Sequence, residues 1–170
     1  MFRQYVSAWN IQLELLKRAE KSFFSLQNDM LYYTIIQLLY LGVITYFFGV
    51  FVAAIAIGIG VTSAILLETI NYIEHYGLSR NKTKSGRYER VSEVHSWNSN
   101  HVMGRVILYE LTRHSDHHYK SAKKYQVLDY HDVSPQMPFG YPTSMLLALV
   151  PPLWFKIMNK RIPVEMKPTS

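Results

Sequence analysis

The order of apolar and polar positions divides the chain into three stretches. Between residues 5 and 21 the pattern is helical, with Tyr5, Trp9, Leu13 and Leu16 on one stripe and Glu14, Lys17, Arg18 and Lys21 off it. An amphipathic helix so rich in aromatics is expected to lie at a membrane surface and lead into a span. Gln27-Asn28-Asp29 then reads as a helix cap. From Met30 to Leu67 come 38 consecutive positions without Lys, Arg, Asp or Glu. A membrane crossing needs only about 20 such residues. The run therefore suits two spans, Leu31–Phe48 and Val50–Thr69, folded as a hairpin with the bend at Gly49. The competing arrangement is one long tilted helix. From Asn71 onward the character changes to polar and histidine-rich. Here a helix is expected from Asn98 to about His118, followed by irregular loops marked by Ser134, Pro135, Pro138, Gly140 and Pro142. Ser144–Phe155 is apolar but too short to span, and reads as a buried or interfacial segment.

These patterns predict an all-α membrane protein: an interfacial helix over residues 1–28, a transmembrane helical hairpin over 29–70 and a cytoplasmic, helical, His-rich metal-binding region over 71–170 with irregular C-terminal loops. Bulk composition alone hides this. Mean hydropathy is -0.02 and 18% of residues are charged, values typical of a soluble protein, because all the charge sits outside the apolar run. Disorder is excluded by 49% hydrophobic and 14% aromatic content.

The net charge of +6 is concentrated in two clusters, +4 over Arg80–Arg90 and +3 over Arg113–Lys124. Both follow the membrane segment, so the positive-inside rule places them in the cytoplasm and a nucleic-acid partner is not expected. An acidic soluble protein is a further partner such clusters would suit. No cysteine is present, which removes disulfides, thiolate metal sites and cysteine nucleophiles. Any metal must be held by His, Asp, Glu or water.

Seven histidines are available. On a helix His114 shares a face with His117 and His118, at i+3 and i+4. Three imidazoles so close repel one another when protonated, whereas a cation between neutral rings is favourable; Fe, Zn, Cu and Ni all suit them. The bland alternative is a solvated polar helix end. Glu68, Asn71, Tyr72 and His75 fall on one helical face at the end of the apolar run, where polar groups are costly unless they serve a site. No HExxH motif occurs and no Glu lies three residues before any His, so zincin and ferritin-like di-iron centres are excluded. Glu110, one turn before His114, is a candidate to orient a ligand or bind directly, and Glu74 beside His75 is a candidate outer partner of the ligands. Asp116 points off the ligand face and reads as an outer partner, or as an ion pair with Arg113 or Lys120.

Asn71-Tyr72-Ile73-Glu74-His75-Tyr76-Gly77-Leu78 and Leu111-Thr112-Arg113-His114-Ser115-Asp116-His117-His118 resemble two signature boxes of the integral-membrane alkane 1-monooxygenases, relatives of membrane desaturases and hydroxylases. The likeness continues through Gly86–Arg90, His95-Ser96-Trp97-Asn98 and Pro151–Lys156. The first box argues against the desaturases. The resemblance implies a pair of non-haem irons held by histidines, with His75, His114, His117 and His118 matching ligand positions. It implies O2-dependent terminal hydroxylation of n-alkanes, with rubredoxin as electron donor, in the bacterial inner membrane with the His-rich region on the cytoplasmic side. His95 and Trp97 carry no role by this likeness, and His101 and His131 read as surface or outer residues. The family's two earlier boxes, HE-x-x-HK and EH-x-x-GHH, are not in the chain. The expectation is therefore a C-terminal portion of a longer enzyme. A related membrane fatty-acid or aromatic-methyl hydroxylase or desaturase, and a non-catalytic remnant with an incomplete metal site, are the alternatives.

Overall fold

In the computed structural model residues 2–166 are described, and every named element among them is helical. Residue 1 and residues 167–170 of the expected regions lie outside the described residues. The chain forms two compact units, Met1–Leu66 and Leu67–Ser170.

The first unit opens with α1 (Phe2–Arg18). The helix ends three residues earlier than its periodicity predicts. Glu20 turns into the left-handed region (φ 54), and its N–H and that of Lys21 bond to the carbonyls of Lys17 and Leu16. That is the 5→2, 6→1 pattern of a Schellman stop. Trp9 stacks on Phe23 at 6.0 Å. The expected cap is present: Asn28 is fully buried, its Oδ1 accepts from Leu31 N–H at 3.1 Å, and its Nδ2 donates to the Phe23 carbonyl at 2.7 Å.

The long helix α2 (Asp29–His75) begins there. Its helical path is broken at Gly49 (φ 83, ψ 166), where the apolar run was expected to bend; only glycine adopts that conformation without strain. Within its most apolar stretch, of mean hydropathy 2.5, only 6% of residues are buried. The core helix of a soluble protein would be covered; α2 is long and apolar enough to cross a membrane and presents its side chains outward. Among the described residues of this unit only Leu16, Asn28 and Ala53 are buried.

The second unit has its own core of Ile73, Trp97, Met137, Tyr141, Trp154 and Met158. It takes in the end of α2, the short helices α3 (Val102–Ile107) and α4 (His114–Tyr119), and the pair α5 (Tyr141–Ala148) and α6 (Pro151–Met158). Two sequence expectations are corrected here. The helix expected from Asn98 to His118 is two six-residue helices. Between them Tyr109 (φ 50) and Glu110 (φ 61) are left-handed, and Glu110 N–H bonds back to the Arg105 carbonyl, closing α3 with the 6→1 bond of a Schellman stop and without glycine. The expected irregular C-terminal loops extend only to Gly140. The apolar segment after them is helical, with Pro142 and Pro151 in the first turns, where a missing N–H costs nothing. It buries Tyr141, Ser144, Trp154 and Met158 and leaves Leu146, Leu149 and Leu153 exposed.

Candidate metal centre

The last turn of α2 and the whole of α4 bring three histidines together. One ring nitrogen each from His75, His114 and His118 lie within 4.8 Å of one another. His114 and His118 are one turn apart on α4, with Nε2 atoms 2.8 Å apart and ring centroids 4.3 Å apart. His75 approaches from α2, its ring 5.3 Å from that of His114 and 5.1 Å from that of His118. Its Nδ1 lies 3.2 Å from the His95 carbonyl, which can only accept, so Nδ1 carries the proton and Nε2 keeps its lone pair.

His114 is buried, and burial first, then the neighbouring His118, His75 and His117, push its pKa down to about 3. His118 is depressed too, by burial and then by His75 and His117. Both rings are therefore neutral ligands at physiological pH. Glu74 adds a carboxyl group that is 1% exposed, with Oε2 3.2 Å from His114 Nε2 and Oε1 buried without a partner. His114 Nδ1 is likewise buried and unpartnered. Burial pushes the Glu74 carboxyl up to about 8, so it keeps its proton until a cation is beside it. Crowded neutral imidazoles and a carboxyl that a cation would ionise are groups that fit a divalent transition metal. A hollow of about 340 Å³ lined by His75, His118, His95, Arg80, Ser79, Leu78 and Val91 lies against the cluster.

The other candidate residues are placed differently. His117 is exposed, its ring 6.0 Å from that of His114 and 5.8 Å from that of His118, and it stands outside the three-histidine group. Glu110 does not reach a histidine. Its carboxylate forks onto Arg105 (2.7–3.0 Å) and pairs with Arg113 at 3.3 Å, fastening the turn between α3 and α4. Asp116 is buried off the ligand face, as expected, but its partners are not Arg113 or Lys120. It accepts from Lys123 Nζ at 2.7 Å, from Asp129 N–H at 2.7 Å and from His131 Nε2 at 2.8 Å. Burial alone would raise its pKa; these donors outweigh it and hold the carboxyl at about 2. Lys123 is thereby committed internally, so the second basic cluster offers less free charge than its composition indicates. His95 is fixed by Ser92, whose backbone N–H donates to Nδ1 at 3.0 Å, so its Nε2–H points to Glu89 at 3.2 Å. His101 is exposed, packed against Gly140.

Sequence reasoning missed the polar groups behind the site. Asn98 and Ser115 are buried and bonded to each other, and Trp97 donates to the end of α2. Only their presence in a stretch similar to the monooxygenases marked them.

Residues 1–147 match the family model described as fatty acid desaturase. The chain belongs to that family. Within it, the chain is 41% identical over 158 residues to alkane 1-monooxygenase 2 of Alcanivorax borkumensis, covering 93% of the chain and 41% of that protein. It is 40% identical over 158 residues to alkane 1-monooxygenase 1 of Pseudomonas aeruginosa, again covering 93% of the chain and 41% of the relative. A more distant member is the xylene/toluene monooxygenase hydroxylase component XylM of Pseudomonas putida, 29% identical over 153 residues, 90% of the chain and 40% of that protein. The chain thus spans about two fifths of the length of the curated relatives it matches.

Proposed function

We propose that this family member serves an O2-dependent monooxygenase that hydroxylates the terminal carbon of n-alkanes, with His75, His114 and His118 holding iron. The observation that carries the reading is the meeting of three imidazoles from α2 and α4, within the two boxes that resemble the alkane enzymes. Glu74 would orient His114 or contact the ion directly. His117, exposed beside the group, would serve a second iron. Bound iron would supply dioxygen activation and oxygen insertion into an unactivated C–H bond.

The chain's own residues do the rest. The His95 carbonyl holds His75 in the tautomer that ligates through Nε2. Burial keeps His114 unprotonated and ready to ligate. An n-alkane has no polar handle, so apolar surface must place it. The outward apolar side chains of α2 supply such surface, and the break at Gly49 is consistent with two spans returning the chain to its starting side. The basic segment Arg80–Arg90 then lies in the cytoplasm of a bacterial inner membrane, as the positive-inside rule requires. Glu89, half-exposed, is engaged by Asn81 N–H and His95, and the five cations around it leave the segment predominantly positive, which suits an acidic donor such as rubredoxin.

The test uses membranes carrying the protein, an n-alkane and isotopically labelled dioxygen. The expected product is the 1-alkanol with labelled oxygen, lost in His75→Ala and His114→Ala; unlabelled alcohol, or activity retained in both variants, would overturn the reading. The XylM similarity makes a methyl-substituted arene the competing substrate, and preference for it would move the assignment to aromatic-methyl oxidation.

A further inference from the structure

α4 carries two of the three clustered histidines yet is too short to hold itself. Six residues scarcely exceed a helical nucleus, and its N-cap residue Arg113 makes no side-chain capping bond. The cap comes from elsewhere in the chain. Asn98, 1% exposed, accepts from the Ser115 backbone N–H through Oδ1 at 3.0 Å and donates through Nδ2 to Ser115 Oγ at 2.6 Å. Ser115 follows His114 directly and is fully buried.

The same short segment also closes the other ligand-bearing helix. Past the end of α2 the chain turns at Gly77 (φ 70), leaving the last carbonyls of the helix without intrahelical donors. Trp97 N–H bonds to the Glu74 carbonyl at 2.8 Å and the Trp97 indole to the Tyr76 carbonyl at 2.7 Å. The His95 carbonyl takes the His75 Nδ1 proton. The backbone of Asn98 is itself pinned on both sides, by the Pro135 carbonyl at 2.8 Å and Met137 N–H at 2.7 Å. Tyr141 OH donates to the Trp97 carbonyl at 3.1 Å. One extended segment therefore caps the end of α2 and the start of α4, and it cannot slide.

We propose that Asn98 is a positioning residue for the metal centre: its buried amide caps α4 from 17 residues away and so holds His114 and His118 at ligating distance from His75. The consequence for metal affinity rests on the metal reading given above; the cap itself does not.

The experiment uses the full chain in lipid nanodiscs, cobalt(II) as the probe, and amide hydrogen exchange of residues 117–120 without metal. Asn98→Leu keeps the branched shape, removes both bonds and leaves the Ser115 N–H buried and unpaired. It is expected to expose the α4 amides to exchange, to weaken cobalt binding by roughly tenfold to a hundredfold, and to change the visible ligand-field spectrum. Asn98→Asp still accepts from Ser115 N–H and is expected to restore exchange protection and the wild-type spectrum. Met158→Ala, a core truncation in α6, controls for stability: it should lower the unfolding midpoint without altering the spectrum. Unchanged α4 exchange in Asn98→Leu overturns the proposal, as does a Met158→Ala variant that weakens cobalt binding and alters the spectrum equally. If the wild-type chain binds no cobalt while Asn98→Leu still unprotects α4, the metal reading falls and the assignment of the cap stands.

Discussion

The two units of this chain differ in what they bury. In residues 3–66 most large apolar side chains are exposed, and order comes from backbone bonds within α1 and α2 with one buried polar cap, Asn28. Residues 67–166 also leave apolar side chains exposed, but they add a polar interior: Glu74, Asn98, Thr112, Ser115 and Asp116 are buried, and most of their bonds join residues far apart in sequence. A lipid environment asks a helix only to satisfy its own backbone and to present hydrocarbon. A metal centre asks for ligands at fixed separations, and short helices reach that only when other segments hold them.

The contrast is broken most readily at Asp116. Asp116→Ala strips the partner from Lys123, His131 and the Asp129 N–H, and is expected to cost about 3 kcal/mol of the second unit's stability by denaturant titration. A loss below about 1 kcal/mol would mean that this buried network is not what holds the loop against α4.

Acid should separate the two units without any mutation. Asp116 titrates near 2 in the folded metal-free chain against 3.8 unfolded, so its contribution of about 2 kcal/mol is present above pH 4 and lost as pH falls toward 2. His114, held neutral down to about 3 against 6.5 unfolded, loses stability as pH drops from 6.5 toward 3, whereas burial raises Glu74 from 4.5 to about 8 and so adds stability as pH drops from 8 to 4.5. The two offset one another, and the net loss comes below pH 4.5. Tertiary signals from Trp97 and Trp154 should therefore fade on acidification while the helical signal of α2 persists; simultaneous loss of both would contradict the division.

Gly77→Ala sharpens the comparison at the end of α2. Its φ of 70 disfavours a Cβ, and that Cβ would press into Ile162, so a loss of about 2 kcal/mol is expected in thermal unfolding. The smallest effect belongs to the apolar helix. Phe47 is 70% exposed, and lipid replaces whatever a truncated side chain loses, so Phe47→Ala in bilayers should change stability by under about 0.5 kcal/mol. A larger loss would reveal a protein partner packed on that face.

What could be read from the sequence follows the same division. The apolar run, the Asn28 cap and the Gly49 break are local, encoded by hydrophobicity or by a residue type with one physical use. The pairing of His114 with His118 was legible because helical spacing alone puts them together, and the likeness to the monooxygenases added His75. The break between α3 and α4 was not, because Tyr109 and Glu110 occupy left-handed positions that glycine usually marks. Nor was Lys123 as the partner of Asp116, since Arg113 and Lys120 are nearer in sequence and only the return of the 123–131 loop decides between them. Asn98 left no local trace at all: a buried amide whose partner lies 17 residues away has no periodicity to announce it.

The central claim, that imidazoles from α2 and α4 share one metal ion, is tested most directly by X-ray absorption of the metal-loaded full chain and of His114→Ala. The account predicts a nitrogen-dominated shell with imidazole outer scattering, losing ligands in the variant. A shell made up of water and carboxylate oxygens, or one unchanged by removing His114, would contradict it.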